Sequence, residues 1–87
     1  MPQRVVRRGR VIDAEGHAVA GALVTVVWGT APTPETGRRA DADGCFVVGL
    51  SVGERFRVRA TTADGSAGEA DVDGSVFDEI IVRVTKR

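Results

Sequence analysis

The run RFRVRA at residues 55–60 alternates arginine with an apolar residue at every step. A side-chain period of two fits an extended strand with one face buried and one in water, and it cannot be laid on a helix without putting charge into the core. Phe56, Val58 and Ala60 are therefore expected inward, and Arg55, Arg57 and Arg59 outward. The same period recurs along the chain. In GALVTVVWG (21–29), Ala22, Val24, Val26 and Trp28 share one face, and Leu23, Thr25 and Val27 the other. CFVVGL (45–50) sets Phe46, Val48 and Leu50 against Cys45 and Val47, and EIIVRV (79–84) sets Ile80, Val82 and Val84 against Ile81 and Arg83. With a segment near 5–12 and a weaker one at 67–72, the pattern predicts about six or seven strands.

The runs are separated by turn signals. DAEG (13–16), DADG (41–44), ADG (63–65) and DVDG (71–74) each bring an acid to a glycine, the chemistry of Asx-type turns and positive φ. GTAPTPETG (29–37) has two prolines and little apolar content, and reads as the longest loop. No stretch carries a helical apolar stripe, so the expected class is all-β, a sandwich or small barrel. At 87 residues there is room for one domain, with a stability on the order of 5 kcal/mol.

GRVIDAEGHAVAGALVTV (9–26) followed by ADADGCFVVGLSVGERFRVRAT (40–61) resembles the carboxypeptidase regulatory-like domain of the transthyretin-like group. Gly9, Val11 and Asp13 match its first Gly-x-Val-x-Asp element, and Gly16 the turn that follows. Gly21, Ala22 and Val24 match its Gly-Ala-x-Val element, and Asp41, Gly44 and Phe46 its Asp-x-x-Gly-x-Phe corner. Leu50 and Gly53 match its Leu-x-x-Gly segment. The resemblance implies a seven-stranded Greek-key β-sandwich that serves as an accessory module, occupying the whole of residues 1–87 with its core at 9–84 and a basic segment at 1–8. His17, Ala18 and Phe56 depart from the common pattern without touching the fold. Arg7 stands where an apolar residue is usual, which predicts that the first strand lies at a sheet edge or against another molecule.

The inventory for catalysis is short. There is one cysteine and one histidine, and no tyrosine. Cys45 lies on the face opposite Phe46, near Asp41 and Asp43, where a thiolate is disfavoured. His17 sits in a predicted turn with no nucleophile beside it in sequence. Zinc needs more nitrogen and sulfur ligands than this chain holds, unless carboxylates or a second subunit contribute. Calcium, which takes about six to eight oxygens, is the sharper rival for the DADG and DVDG corners; solvated turns are the default. No enzyme activity and no cofactor are expected.

The formal net charge is zero, so the whole chain has no pull toward nucleic acid or anionic membrane. Arg4, Arg7, Arg8 and Arg10 nevertheless crowd the N-terminal segment, and Arg55, Arg57 and Arg59 line one strand face. They are read either as edge protection neutralised by acids in adjacent turns, or as a protein-contact strip. No aromatics interleave with the arginines on their own face, which disfavours nucleic acid. The leading expectation is a non-catalytic module that docks onto a larger protein, with self-association left open. The alternative is a small-ligand or carbohydrate binder using Trp28 beside the 29–37 loop, although a strand-end aromatic is more often a core lid. No signal-peptide core and no apolar run of about 18 residues is seen, so the expected location is the cytoplasm, with a piece of an exported protein as the alternative.

Overall fold

The computed structural model describes residues 4–30, 37–74 and 79–86. Residues 31–36 of the expected 29–37 loop, and the Arg4 side chain, lie outside the described residues. The described chain forms β1 (Arg4–Ile12), β2 (Leu23–Gly29), β3 (Arg38–Arg39), β4 (Cys45–Ser51), β5 (Arg55–Thr61), β6 (Ala67–Asp73) and β7 (Ile80–Arg83), with no helix among these residues. Two sheets result, one in the order β4-β1-β7 and the other β3-β2-β5-β6. All pairings are antiparallel except β1 with β7, which run parallel. The architecture is all-β and sandwich-like.

The period-two reading explains which side chains meet. Phe46, Val48, Leu50, Val11, Ile80 and Val82 come from the inner face of the three-stranded sheet. Val24, Phe56, Val58, Ala60 and Val72 come from the other sheet, and all belong to one buried cluster. Each valine, leucine, isoleucine or phenylalanine among them that is fully removed from water contributes on the order of 1.5–3 kcal/mol, which offsets the ordering of the chain around it.

The sheets are tied together at one corner. Beyond β7, Thr85 exchanges two backbone hydrogen bonds with Ala67 at the start of β6, at 3.0 and 3.1 Å. The crossing is so close that a Cβ on Gly68 would lie 1.9 Å from the Arg83 carbonyl oxygen, so only glycine fits there.

Three expected turns are one structure repeated. In 13–17, 41–45 and 62–66 the first residue's N–H bonds the carbonyl of the fifth, and the N–H of the fourth bonds the carbonyl of the first. The fourth residue is always glycine at positive φ, as in Gly44 at 75°. The fourth expected turn, DVDG, is different. Asp71 and Asp73 are strand residues of β6, and only Gly74 lies in a turn.

Three further expectations are corrected. β1 is the central strand of its sheet, with β4 on one side and β7 on the other, because its Gly9–Ile12 half also pairs with β7. Arg7 points inward from it and is only 5% exposed, at a cleft also lined by Asp71, Asp73 and Glu79. An inward arginine is accommodated by nearby acids at the open end of the sandwich, so Arg7 is not available as a surface contact. Finally, Trp28 does not share the inner face of Ala22 and Val24. The register of β2 on β5 shifts between Val26 and Trp28, Val27 being the extra residue of a bulge, and the shift turns Trp28 outward.

Candidate functional site

The arginines expected to form one basic strip lie on two different sheets. On the outer face of the larger sheet, Arg55, Arg57 and Arg59 of β5 stand opposite Asp73, Asp71 and Glu69 of β6. Arg57 Nε donates to Asp71 Oδ1 at 3.0 Å, and Arg59 Nε lies 3.8 Å from Glu69 Oε2. The Asp71 hydrogen bond raises the Arg57 pKa above its ordinary value. The acids that neutralise this face thus come from the neighbouring strand, where a period-two run of Glu69, Asp71 and Asp73 matches the period-two arginines.

The outer face of the smaller sheet is different. Arg8 and Arg10 leave β1 toward solvent, opposite Val47 and Cys45 of β4. Arg38 and Arg39, on the short β3 of the other sheet, reach the same place because β3 and β4 lie on the same side of the sandwich. These four arginines line a cleft of about 590 Å³ that also includes Asp41, Cys45, Val47 and Glu79. The two carboxylates are already engaged. Asp41 Oδ1 accepts the backbone N–H groups of Asp43 and Cys45, each at 2.9 Å, and Glu79 lies 3.8 Å from Arg10. Arg39 donates to the Gly21 carbonyl at 3.2 Å. Arg8 and Arg38 have no ion pair among the described residues. Several cations facing one cleft raise its potential and favour an anionic partner, with the planar guanidinium suited to bidentate contact with carboxylate. Arg38 and Arg39 were not singled out from the sequence, since only the fold brings them beside Arg8.

Trp28 is 52% exposed. It stands directly opposite Arg57, and together with Arg55, Asp71 and Asp73 it lines a cleft of about 390 Å³ on the outer face of the larger sheet.

Most residues weighed for metal binding or catalysis take part in turns or ion pairs. Asp41 Oδ1 anchors the 41–45 turn, and Asp71 Oδ1 accepts from Arg57, so these two acids of the DADG and DVDG corners serve separate hydrogen bonds. Among the described residues, Asp13, Glu15 and His17 bring their ligand atoms within 4.8 Å of one another. Asp13 Oδ1 accepts the N–H groups of Glu15 and His17 at 2.9 Å, and the His17 bond chiefly lowers the Asp13 pKa. This is the 13–17 turn built on its own aspartate. The Cys45 thiol faces the Asp43 carbonyl at 3.8 Å, while the His17 imidazole lies 3.7 Å from Asp13, so neither meets the other in a hydrogen bond.

Among the described residues, no helix is long and apolar enough to cross a membrane. Compared with known proteins, the chain matches no family model, and a search of the curated proteins finds no match.

Proposed function

We propose that the chain is a non-catalytic interaction module that holds an acidic segment of a larger protein in the cleft of Arg8, Arg10, Arg38 and Arg39. The carrying observation is that Arg8 and Arg38 face this cleft with no ion pair among the described residues, whereas Arg57 and Arg59 are matched by acids on the adjacent strand. Arginine without an internal partner retains its capacity for a carboxylate from outside. On this reading the fold is the seven-stranded Greek-key sandwich of the carboxypeptidase regulatory-like, transthyretin-like group. The parallel pairing of β1 with β7 and the motif residues from Gly9 to Gly53 support it.

The test is a titration of the labelled domain with a glutamate-rich peptide, followed by amide chemical shifts. Shifts are expected at residues 8–10, 38–41 and 45–47, weakening steeply with added salt. Arg8→Glu with Arg38→Glu should abolish them, while the equally charge-changing Arg55→Glu with Arg83→Glu should not. Shifts confined to 55–59, or absent altogether, would sink the assignment.

A second reading is favoured by one observation, the outward Trp28 beside Arg57, Asp71 and Asp73. A flat aromatic flanked by hydrogen-bonding charges suits a sugar ring or a planar ligand. Tryptophan emission that fails to change with any member of a glycan panel removes this reading.

A further inference from the structure

β4 is the edge of the β4-β1-β7 sheet, and its free side is the least defended edge of the molecule among the described residues. Edge strands are normally blunted by charge, proline, bulges or shortness. β3 has two residues; β7 is short and carries Arg83; β6 carries Glu69, Asp71 and Asp73 and is bridged to Thr85. β4, CFVVGLS, has seven residues with neither charge nor proline.

The backbone groups on its free side can be identified. Val11 N–H bonds the Gly44 carbonyl across to β1, while the Cys45 carbonyl accepts the Asp41 N–H within its own turn. Even-numbered residues from Gly44 onward therefore face β1, and odd-numbered residues face away from it. The N–H and C=O of Val47 and Gly49 point to the free edge, and no backbone partner for them occurs among the described residues.

We propose that this edge pairs antiparallel with β4 of a second copy, about a two-fold axis through Val48. That register sets Val47 of each copy against Gly49 of the other, both with edge-facing groups, so that every one of these N–H and C=O groups finds a partner. A continuous sheet then runs β7-β1-β4-β4-β1-β7. The side chains on its outer face also fit. Val47 is 47% exposed, and the space where a Gly49 Cβ would stand is empty to 4 Å. Beyond Gly49 in register lies Val6, 73% exposed. In the paired sheet, Val47 of one copy lies over Gly49 of the other and beside its Val6, and the two-fold axis doubles that contact. β4 is uncharged throughout, so its own side chains bring no like charges together across the axis, and Arg38 and Arg39 of β3 flank it at its Cys45–Val47 end. A second copy is favoured over an acidic peptide because the exposed Val47 and the bare Gly49 complement each other across a two-fold axis, while β4 itself carries no cation to attract an acid. Pairing of one seven-residue edge buries less than the ~1,200 Å² of a standard stable interface, so the dimer is concentration-dependent.

This inference shares Val47 with the lining of the acidic cleft but rests on the free backbone groups of β4, not on the arginines, and does not depend on the acidic-cleft reading. The experiment is sedimentation of the purified chain over a dilution series reaching millimolar concentration, paired with amide hydrogen exchange by NMR and with no peptide present. Dimer is expected to accumulate with concentration, and protection at Val47 and Gly49 to rise about tenfold in step with it. Val47→Lys, checked for folding by circular dichroism, should stay monomeric. A monomer at every concentration overturns the proposal, as does a dimer in which Val47 and Gly49 amides exchange as in dilute solution. If Val47→Lys fails to fold, the wild-type exchange pattern alone decides.

Discussion

Gly68→Ala tests the corner where the two sheets meet. The new Cβ would stand 1.9 Å from the Arg83 oxygen and 2.7 Å from its carbonyl carbon, both backbone atoms that no rotamer change can move. Non-bonded contacts settle near ~3.5 Å, so β6 and β7 must part by roughly 1.5 Å. The Ala67–Thr85 hydrogen bonds, at 3.0 and 3.1 Å, do not survive that separation. Losing both costs about 2 kcal/mol, and relieving the overpacked carbon costs about 1–3 kcal/mol more. The sum, about 3–5 kcal/mol, approaches the whole stability of a domain of this size. The melting temperature should fall by about 15–30 °C in calorimetry or circular dichroism. Gly49→Ala, measured at micromolar concentration, is the control: nothing lies within 4 Å of its Cβ position, and its φ is not among the positive ones. It should stay within about 0.5 kcal/mol of wild type. A Gly68→Ala melt within a few degrees of wild type would refute the close crossing of β6 over β7.

Arg7→Glu should destabilise the fold by about 3 kcal/mol or more, because a buried cation is replaced by an anion at a cleft lined by Asp71, Asp73 and Glu79; Arg8→Glu should leave the urea midpoint nearly unchanged, and equal midpoints for the two variants would contradict the inward placement of Arg7. Trp28 should emit at long wavelength and be quenched freely by acrylamide, whereas a blue-shifted, protected emission would place the ring back in the core. Asp64 is held at about 2 against an ordinary 3.8, first by the Thr62 hydroxyl and then by the Ser66 N–H. Its folded-state pKa is depressed, so its contribution is fully present above pH 3.8 and is lost as pH falls toward about 2. Asp64→Asn should flatten the stability–pH curve in that window, and an unchanged slope there would show that the turn does not depend on the carboxylate.

The strands of the core were legible because alternation is a local property. Phe56, Val58 and Ala60 could be placed inward from their own sequence. The bulge at Val27 was not legible, since it depends on how β2 meets β5 and no glycine or proline marks it. Arg7 misled for a related reason: its charge suggested an edge, while the strand's register put it inside. The ladder of Glu69, Asp71 and Asp73 left a readable trace, a period-two run of acids after a period-two run of arginines, hidden by reading DVDG as a turn. The arginine cleft had no such trace, because Arg8 and Arg38 are neighbours only through the stacking of two sheets.

The unequal electrical character of the two outer faces makes a simple expectation for handling the molecule fail. A chain whose charges sum to zero should pass through an ion exchanger unretained. Here the arginines of β5 are matched by acids of β6, while Arg8 and Arg10 of β1 and Arg38 and Arg39 of β3 gather around one cleft. Such a molecule presents one side to a negatively charged matrix and turns the other away, so orientation rather than total charge governs adhesion. It should be retained on a cation exchanger at its own isoelectric point and released by modest salt, and the same bias would set which way it faces on any acidic surface it meets.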